Sequence, residues 1–227
     1  MMVSLFSSFD PCSPSSLFSN WMSTFLLMLI LPYQFWLNSN RHLTTLKLIM
    51  STLHLELKML MGSKNSQGST LIFLSVLFFI AFNNFLGLFP YVFTSTSHLV
   101  TALSVAMPLW VSFMLFGWIN NMKFMFAHLV PMSTPNILMP FMVIIETISN
   151  IIRPLTLAVR LSANMIAGHL LLTLLGNQTS SSKSLILIVM LILQISLLLL
   201  EWGVSIIQAY VFMVLSSLYS SEVVDNH

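Results

Sequence analysis

The stretch that decides the fold is ETISNIIRPLTLAVRLSANMIAGH, residues 146–169, an apolar run that nevertheless carries charged side chains. It holds Glu146, Arg153, Arg160 and His169, although only 6% of the whole chain is charged. Arginine keeps its proton in proteins, and an arginine at the centre of a bilayer costs roughly 2.5–3.5 kcal/mol on insertion scales. Such a residue inside an apolar helix therefore indicates a function that requires it.

The composition around this stretch is that of an integral membrane protein. The 227 residues are 57% hydrophobic, and several apolar runs are long enough to span a bilayer as helices. A net charge of +2 does not suggest nucleic acid as a partner. Cys12 is the only cysteine, so a disulfide framework and a cysteine metal site are excluded. We predict one all-α membrane domain, residues 1–227, without a metal or cofactor.

Five apolar segments predict membrane crossings. They cover residues 17–37, 71–93, 99–119, 136–175 and 184–220. In the first, Trp21 near one end and Tyr33 and Trp36 near the other are placed as interfacial anchors. The last two are too long for roughly 30 Å of hydrocarbon, because forty helical residues extend about 60 Å. They predict a hairpin of two long, tilted helices joined by a loop at residues 176–183.

Residues 42–62 have a different pattern. Charged residues lie on other faces than the apolar side chains, which recur there at spacings of three and four: Leu43, Leu46, Met50, Leu53, Leu57 and Leu60. This predicts an amphipathic helix on the matrix-side membrane surface, the alternative being a helix packed on a soluble partner.

Positive charge is concentrated on one predicted side of the membrane. Five basic residues fall in the two connections on that side: Arg41, Lys47, Lys58, Lys64 and Lys123. The opposite side has only Lys183. By the positive-inside rule, the richer side is the cytoplasm or matrix, which also holds the C-terminus, and the N-terminus lies outside.

Polar side chains on the two long segments form stripes. On the first segment, steps of four, three, seven and four place on one helix face Glu146, Asn150, Arg153, Arg160 and Asn164. On the second, a repeat of seven residues joins Gln194, Glu201 and Gln208, with Ser205 beside them. In an antiparallel pair of helices without a kink, the numbers of two residues that face each other add up to the same sum all along the pair. This places Arg160 near Gln208, and His169 near Glu201 at a different depth.

These two clusters suggest proton transport. Histidine, glutamate and amides exchange protons, whereas arginine does not, so a permanent cation between two proton pathways would block a leak. Arg160 would also favour the ionised form of a partner's carboxylate. Each of His169 and Glu201 alone would be interpreted as a satisfied buried polar residue, but their predicted pairing favours function.

Several residues have alternative interpretations. Arg160 could pair with an acid for assembly only, but Glu146, some 21 Å away along the helix, is the only acid on its stripe. For Arg153, a structural or lipid-anchoring role competes with a functional one. For Asn83 and Asn84, in the second crossing, hydrogen bonding between helices competes with a wet pathway.

Four segments carry a resemblance to a known family. They are RPLTLAVRLSANMIAGHLLL (153–172), EWGVSIIQAYVFMVLSSLY (201–219), LFSSFDPCS (5–13) and FNNFLGLFPYVFTSTSHL (82–99). They resemble subunit a of the F-type ATP synthase, in its animal mitochondrial form. That family lies in the inner membrane beside a rotating ring of c subunits, each with a membrane carboxylate. Protons enter by one half-channel, travel with the ring and leave by another.

The resemblance implies roles for individual residues. Arg160 matches the essential arginine that faces the ring, and Asn164 and Gln208 match its polar neighbours. His169 and Glu201 match the pair of the outer half-channel.

At the inner side, Glu146 matches a carboxylate near the matrix outlet. Asn150 and Arg153 are matched less closely, since many members have a neutral residue in place of Arg153. The implied partners are the c-ring, peripheral-stalk and other small membrane subunits, and lipid. The chain would then be a proton-channel subunit rather than a catalytic one.

Three other classes of protein compete with this interpretation. A haem- or quinone-linked pump would need paired histidines within crossings, and only His169 lies clearly within one. A self-contained secondary transporter would show an inverted internal repeat, which the sequence lacks. A purely structural subunit predicts that Arg160→Ala lowers the abundance of the complex but leaves proton-driven synthesis intact.

Overall fold

The computed structural model describes residues 5–12, 20–25, 38, 40–62, 68–89, 92–120, 122–130, 135, 137–181 and 183–224. Within these ranges the regular structure is helical throughout, without a strand, which confirms the all-α prediction. Four of the described helices are long and apolar enough to cross a membrane. The predicted first crossing, residues 17–37, lies outside the described residues except for a 3-10 helix, Asn20–Phe25.

Helix α1, Arg41–Met61, occupies the segment with the amphipathic pattern. Its Leu57 and Met61 are buried in an apolar cluster with residues of other helices: Phe73, Leu74, Leu77 and Met213. Met50 and Leu60, which belong to the same sequence pattern, stay partly exposed. The apolar face of α1 therefore packs on the chain's own helices, and its location on a membrane surface stays a prediction.

Helix α2, Ser69–Gly87, ends six residues before residue 93, the predicted end of that crossing. Pro90 follows closely in the sequence, and a proline disfavours the α conformation of the residue before it. A buried 3-10 turn, Ser95–Ser97, leads into helix α3, Leu99–Asn120. A short helix α4, Met122–His128, follows in a stretch where no helix was predicted.

Helices α5, Met139–Ser181, and α6, Ser184–Val224, have 43 and 41 residues, or about 65 and 62 Å. The polypeptide of α5 stays helical through Pro154 and through residues 176–181, where a loop was predicted. Thr179 and Ser180 there donate side-chain hydrogen bonds to carbonyls one turn back, at 2.7 Å each. An isolated glycine costs only about 1 kcal/mol in a helix, so the apolar helix continues. The connection is therefore shorter than predicted.

The core lies where α2, α3, α5 and α6 meet. Small side chains where these helices meet let the helix backbones approach closely: Ala102, Ala106, Ala158 and Ala209. Phe212 and Ile80 fill the space between them and are almost fully buried. In the most apolar 18-residue stretch of α6 only 6% of the residues are buried within the described chain, so this stretch requires cover from outside it.

Candidate functional site

The candidate site is built on α5 and α6, which run antiparallel because so few residues connect them. Arg160 lies on α5, with its side chain exposed at the surface of the hairpin. Ala158 and Leu161, which point to other sides of α5, are buried in the core and fix this orientation. No hydrogen bond or salt bridge joins the Arg160 guanidinium to the part of the chain that the structure describes.

One turn further along α5, two amides connect the helices. The Asn164 Nδ2 atom donates a hydrogen bond of 3.0 Å to Oε1 of Gln208, which is buried. Sequence analysis placed Gln208 near Arg160, whereas in the structure its hydrogen-bond partner is Asn164, on the same stripe. Gln208 therefore has its carbonyl oxygen occupied by a neutral partner.

Glu201 is a buried carboxylate that packs on a glycine. It is 9% exposed, and neither carboxylate oxygen has a hydrogen-bond partner among the described residues. Gly168 of α5 provides the space, because a Cβ atom there would lie 2.8 Å from both Cδ and Oε1 of Glu201. The close approach of the two helices at this level thus depends on a residue without a side chain.

His169 follows Gly168 directly but has different contacts. Its ring meets Phe9 edge-on, with 6.2 Å between centroids, and it interacts with the backbone of Gly87. Its Nε2 atom is buried and has no described partner. The structure therefore brings His169 and Glu201 to one level of the hairpin but gives no hydrogen bond or ion pair between them within the described ranges.

Helix α2 contributes two amides to this region. Asn83 and Asn84 are 5% and 1% exposed, and both side-chain polar atoms of Asn84 lack partners among the described residues. A small cavity, partly open to the surface, connects Asn84 to polar groups of the hairpin: Asn164, Glu201, Ser205 and Gln208. Ser205 itself donates its hydroxyl to the Trp202 carbonyl. Among the described residues Asn84 makes no hydrogen bond to another helix, and a wet pathway past it stays a prediction.

A second polar group lies at the other end of the stripe. The guanidinium of Arg153 is 2.7 Å from Oε2 of Glu222 and 3.9 Å from Oε1 of Glu146. It also lies 5.2 Å from the centroid of the Tyr219 ring, in a cation–π contact. Asn150, half-buried on the same face of α5, completes the stripe. Arg153 therefore forms ion pairs with one carboxylate of its own helix and with one carboxylate of α6.

Sequence analysis missed Glu222. The register that placed Arg160 near Gln208 also places Glu222 opposite Glu146, so the signal was present in the residue numbers. Glu222 lies two residues beyond residue 220, the predicted end of that crossing, so the apolar pattern alone does not include it.

Side chains that can bind a metal ion are scattered in the described part of the chain. The described residues contain no group of three or more histidine, cysteine or acidic side chains placed to hold a metal ion. Cys12 is exposed, and its hydrogen bond to Asp10 raises the pKa of the thiol, which keeps it protonated.

Comparisons with known proteins identify the family of this chain. The family model described as ATP synthase A chain matches residues 17–221. The chain is 60% identical to ATP synthase subunit a of Drosophila yakuba over 223 residues, covering 98% of this chain and 100% of the relative. It is 61% identical over 225 residues to the subunit a proteins of Anopheles quadrimaculatus and Aedes aegypti, with the same coverage. This polar two-helix hairpin is therefore part of a chain that belongs to the ATP synthase subunit a family, in its animal mitochondrial form.

Proposed function

We propose that this chain is the proton-translocating stator subunit of a rotary ATP synthase. It forms two half-channels against a ring of c subunits, and Arg160 separates them. The observation that carries this proposal is the position of Arg160. Its charge is exposed on the hairpin surface without a described partner, and polar groups lie on either side of it along α5.

The outer half-channel would use the groups around the polar cavity. Glu201 and His169 are titratable, buried or half-buried, and free of described ion pairs, so each can change protonation without breaking one. Asn84, Asn164 and Gln208 supply amides that orient water or the transferred proton. A proton taken up here would pass to an ionised carboxylate of the ring.

Arg160 would act on that carboxylate electrostatically. An unshielded guanidinium favours the ionised form of a carboxylate that approaches it, so the ring must release its proton before passing. Arginine does not release its own proton, and a straight proton path between the half-channels is therefore closed. Each proton that completes the route releases about 2.3 kcal/mol per 100 mV of membrane potential.

The inner half-channel would end near Glu146, with Asn150 on the same face. Glu146 lies 14 residues before Arg160, or about 21 Å along the axis. Its carboxylate is partly exposed, as a group that delivers protons to water must be. Arg153 accompanies it at 3.9 Å.

Orientation and partners follow from the same proposal. Five crossings and the positive-inside rule place the C-terminus in the matrix and the N-terminus in the intermembrane space. The exposed apolar surface of α5 and α6 would contact the c-ring, peripheral-stalk and small membrane subunits, and lipid. The membrane is the mitochondrial inner membrane.

The decisive experiment is Arg160→Ala in the assembled complex. We expect ATP synthesis to fall by at least about 100-fold, because the charge that drives proton release is gone. Synthesis, passive proton leak and the abundance of the intact complex are measured together. Arg41→Ala, which removes an exposed arginine at the start of α1, is the matched control and should retain synthesis. Normal synthesis in assembled Arg160→Ala complexes would refute the proposal in favour of a structural subunit.

A further inference from the structure

The inner end of the hairpin holds three charges at unequal distances. Arg153 of α5 is close to Glu222 of α6, at 2.7 Å, and farther from Glu146 of its own helix, at 3.9 Å. The shorter distance is that of a charge-assisted hydrogen bond, whereas the longer one is at the limit of an ion pair. Arg153 is therefore paired primarily across the helices.

Helix α6 supports this arrangement with a second contact. Tyr219, nearly one turn before Glu222, places its ring 5.2 Å from the guanidinium carbon. The neighbouring Ser220 and Ser221 are buried, which fixes this turn of α6 against the rest of the chain. Two contacts from one helix thus draw the Arg153 side chain toward α6.

Two of the helices that pack on the hairpin contribute no charge to its inner end. Helices α2 and α3, which pack on the hairpin, have no Asp, Glu, Lys, Arg or His within their bounds. On α1, Glu56 lies 3.5 Å from the Tyr210 hydroxyl of α6, twelve residues before Glu222. The charges described closest to Arg153 are therefore its two carboxylates.

We propose that Glu222 is a positioning residue of the proton outlet, which neutralises Arg153 and thereby leaves the Glu146 carboxylate able to exchange protons. This inference rests on the proposed role of Glu146 at the outlet. If Glu222 is removed, Arg153 has one carboxylate left, and its guanidinium pairs fully with Glu146. A carboxylate held in a direct ion pair takes up and passes on protons less readily than one paired at a distance.

The test is a double-mutant series in the assembled complex. Glu222→Gln keeps the shape of the side chain but removes its charge, and we expect ATP synthesis to fall by about three- to fivefold, the scale of a partly exposed charge pair. Glu222→Asp, which retains the carboxylate, should recover most of the rate. Arg153→Gln combined with Glu222→Gln should synthesise ATP faster than Glu222→Gln alone, because the unpaired guanidinium has also been removed.

The direction in which the second substitution changes the rate of ATP synthesis separates the proposal from a purely structural role of the ion pair. If the Arg153–Glu222 pair only held the helices together, the double mutant would be no faster than the single one, and that result would overturn the inference. Glu56→Gln is the matched control, since it removes another carboxylate that contacts α6, and it should leave the rate unchanged. An unchanged rate in Glu222→Gln would equally overturn the inference. Loss of synthesis in Arg160→Ala tests the proposed function separately, since it does not depend on Glu222.

Discussion

The two ends of the α5–α6 hairpin handle their polar groups in opposite ways. At the end with Glu201 and His169, both Glu201 carboxylate oxygens and the Nε2 atom of His169 are buried without hydrogen-bond partners in the described chain, and Glu201 borders a small cavity. At the end with Arg153, both carboxylates lie within ion-pair distance of one guanidinium and are partly exposed. The position of the polar groups is set by close packing at the Glu201 end and by ion pairs at the Arg153 end.

This difference matches what each half-channel would have to do. A group that accepts a proton inside an apolar region can do so more readily if no fixed counter-charge holds it in one state. A group that delivers protons to water can sit near charges, because water screens them. Arg160 lies between the two ends, about 13 Å from His169 and about 10 Å from Arg153 along the helix.

The largest effect within this comparison is expected at the packing-dependent end, from Gly168→Ala. The new Cβ would lie 2.8 Å from Glu201, so the carboxylate must move from its place beside the cavity. Its side chain is flexible, and the overpacking should cost about 1–3 kcal/mol of stability, which an assembled complex tolerates. We expect ATP synthesis to fall by about tenfold or more, because displaced reacting groups lose rate steeply.

Two glycines of the same hairpin provide controls for Gly168→Ala. A Cβ atom at Gly176 of α5 or at Gly203 of α6 would meet nothing within 4 Å. Alanine at either position should leave synthesis unchanged and favour the helix slightly, by up to about 1 kcal/mol. Equal rates in all three variants would mean that the position of the Glu201 carboxylate does not limit proton uptake.

A smaller effect is expected at the amide bridge between the helices. Asn164→Ala leaves the buried Gln208 amide without its 3.0 Å partner, and the reverse holds for Gln208→Ala. Interhelical hydrogen bonds in membranes contribute about 0.6 kcal/mol on average, so a double-mutant cycle should give a coupling of that order. The cycle is measured on the thermal stability of the complex, with Ser196→Ala, an exposed serine of α6, as the control. A coupling of zero would mean that the two amides are separate parts of the pathway.

Much of this fold could be predicted from apolar run lengths and polar spacing. The two long helices were predicted because their apolar runs exceed a bilayer's thickness, and the segment of α1 was identified from its spacing of three and four. The helical stretch at residues 176–181 could not be predicted from the sequence, because its glycine and hydroxyl residues are typical of turns. Their side chains instead satisfy carbonyls of the preceding turn, a local choice that composition does not reveal.

The site was predicted less completely than the fold. Stripe periodicity identified the residues of α5 and α6, but the uniform register predicted only that Gln208 lies near Arg160 and not that Asn164 is its hydrogen-bond partner. One residue number cannot tell which of two neighbours, Arg160 or Asn164, a long side chain reaches. The packing of Glu201 on Gly168 depends on the backbone separation of the helices, which no periodicity supplies. Glu222 required the hairpin register to be extended past the apolar segment.

The smallest effect is expected from the N-terminal contact at the packing-dependent end. Phe9 meets the His169 ring edge-on, and such aromatic contacts contribute about 0.5–1.5 kcal/mol. Phe9→Ala should change ATP synthesis by less than about twofold, but it should expose His169. We expect diethyl pyrocarbonate to modify His169 several-fold faster, as measured by peptide mass spectrometry. Phe6→Ala removes a phenylalanine that is already 66% exposed and should leave the modification rate unchanged. Equal rates in both variants would mean that the N-terminal segment does not cover the histidine, and that the helices alone shield this end.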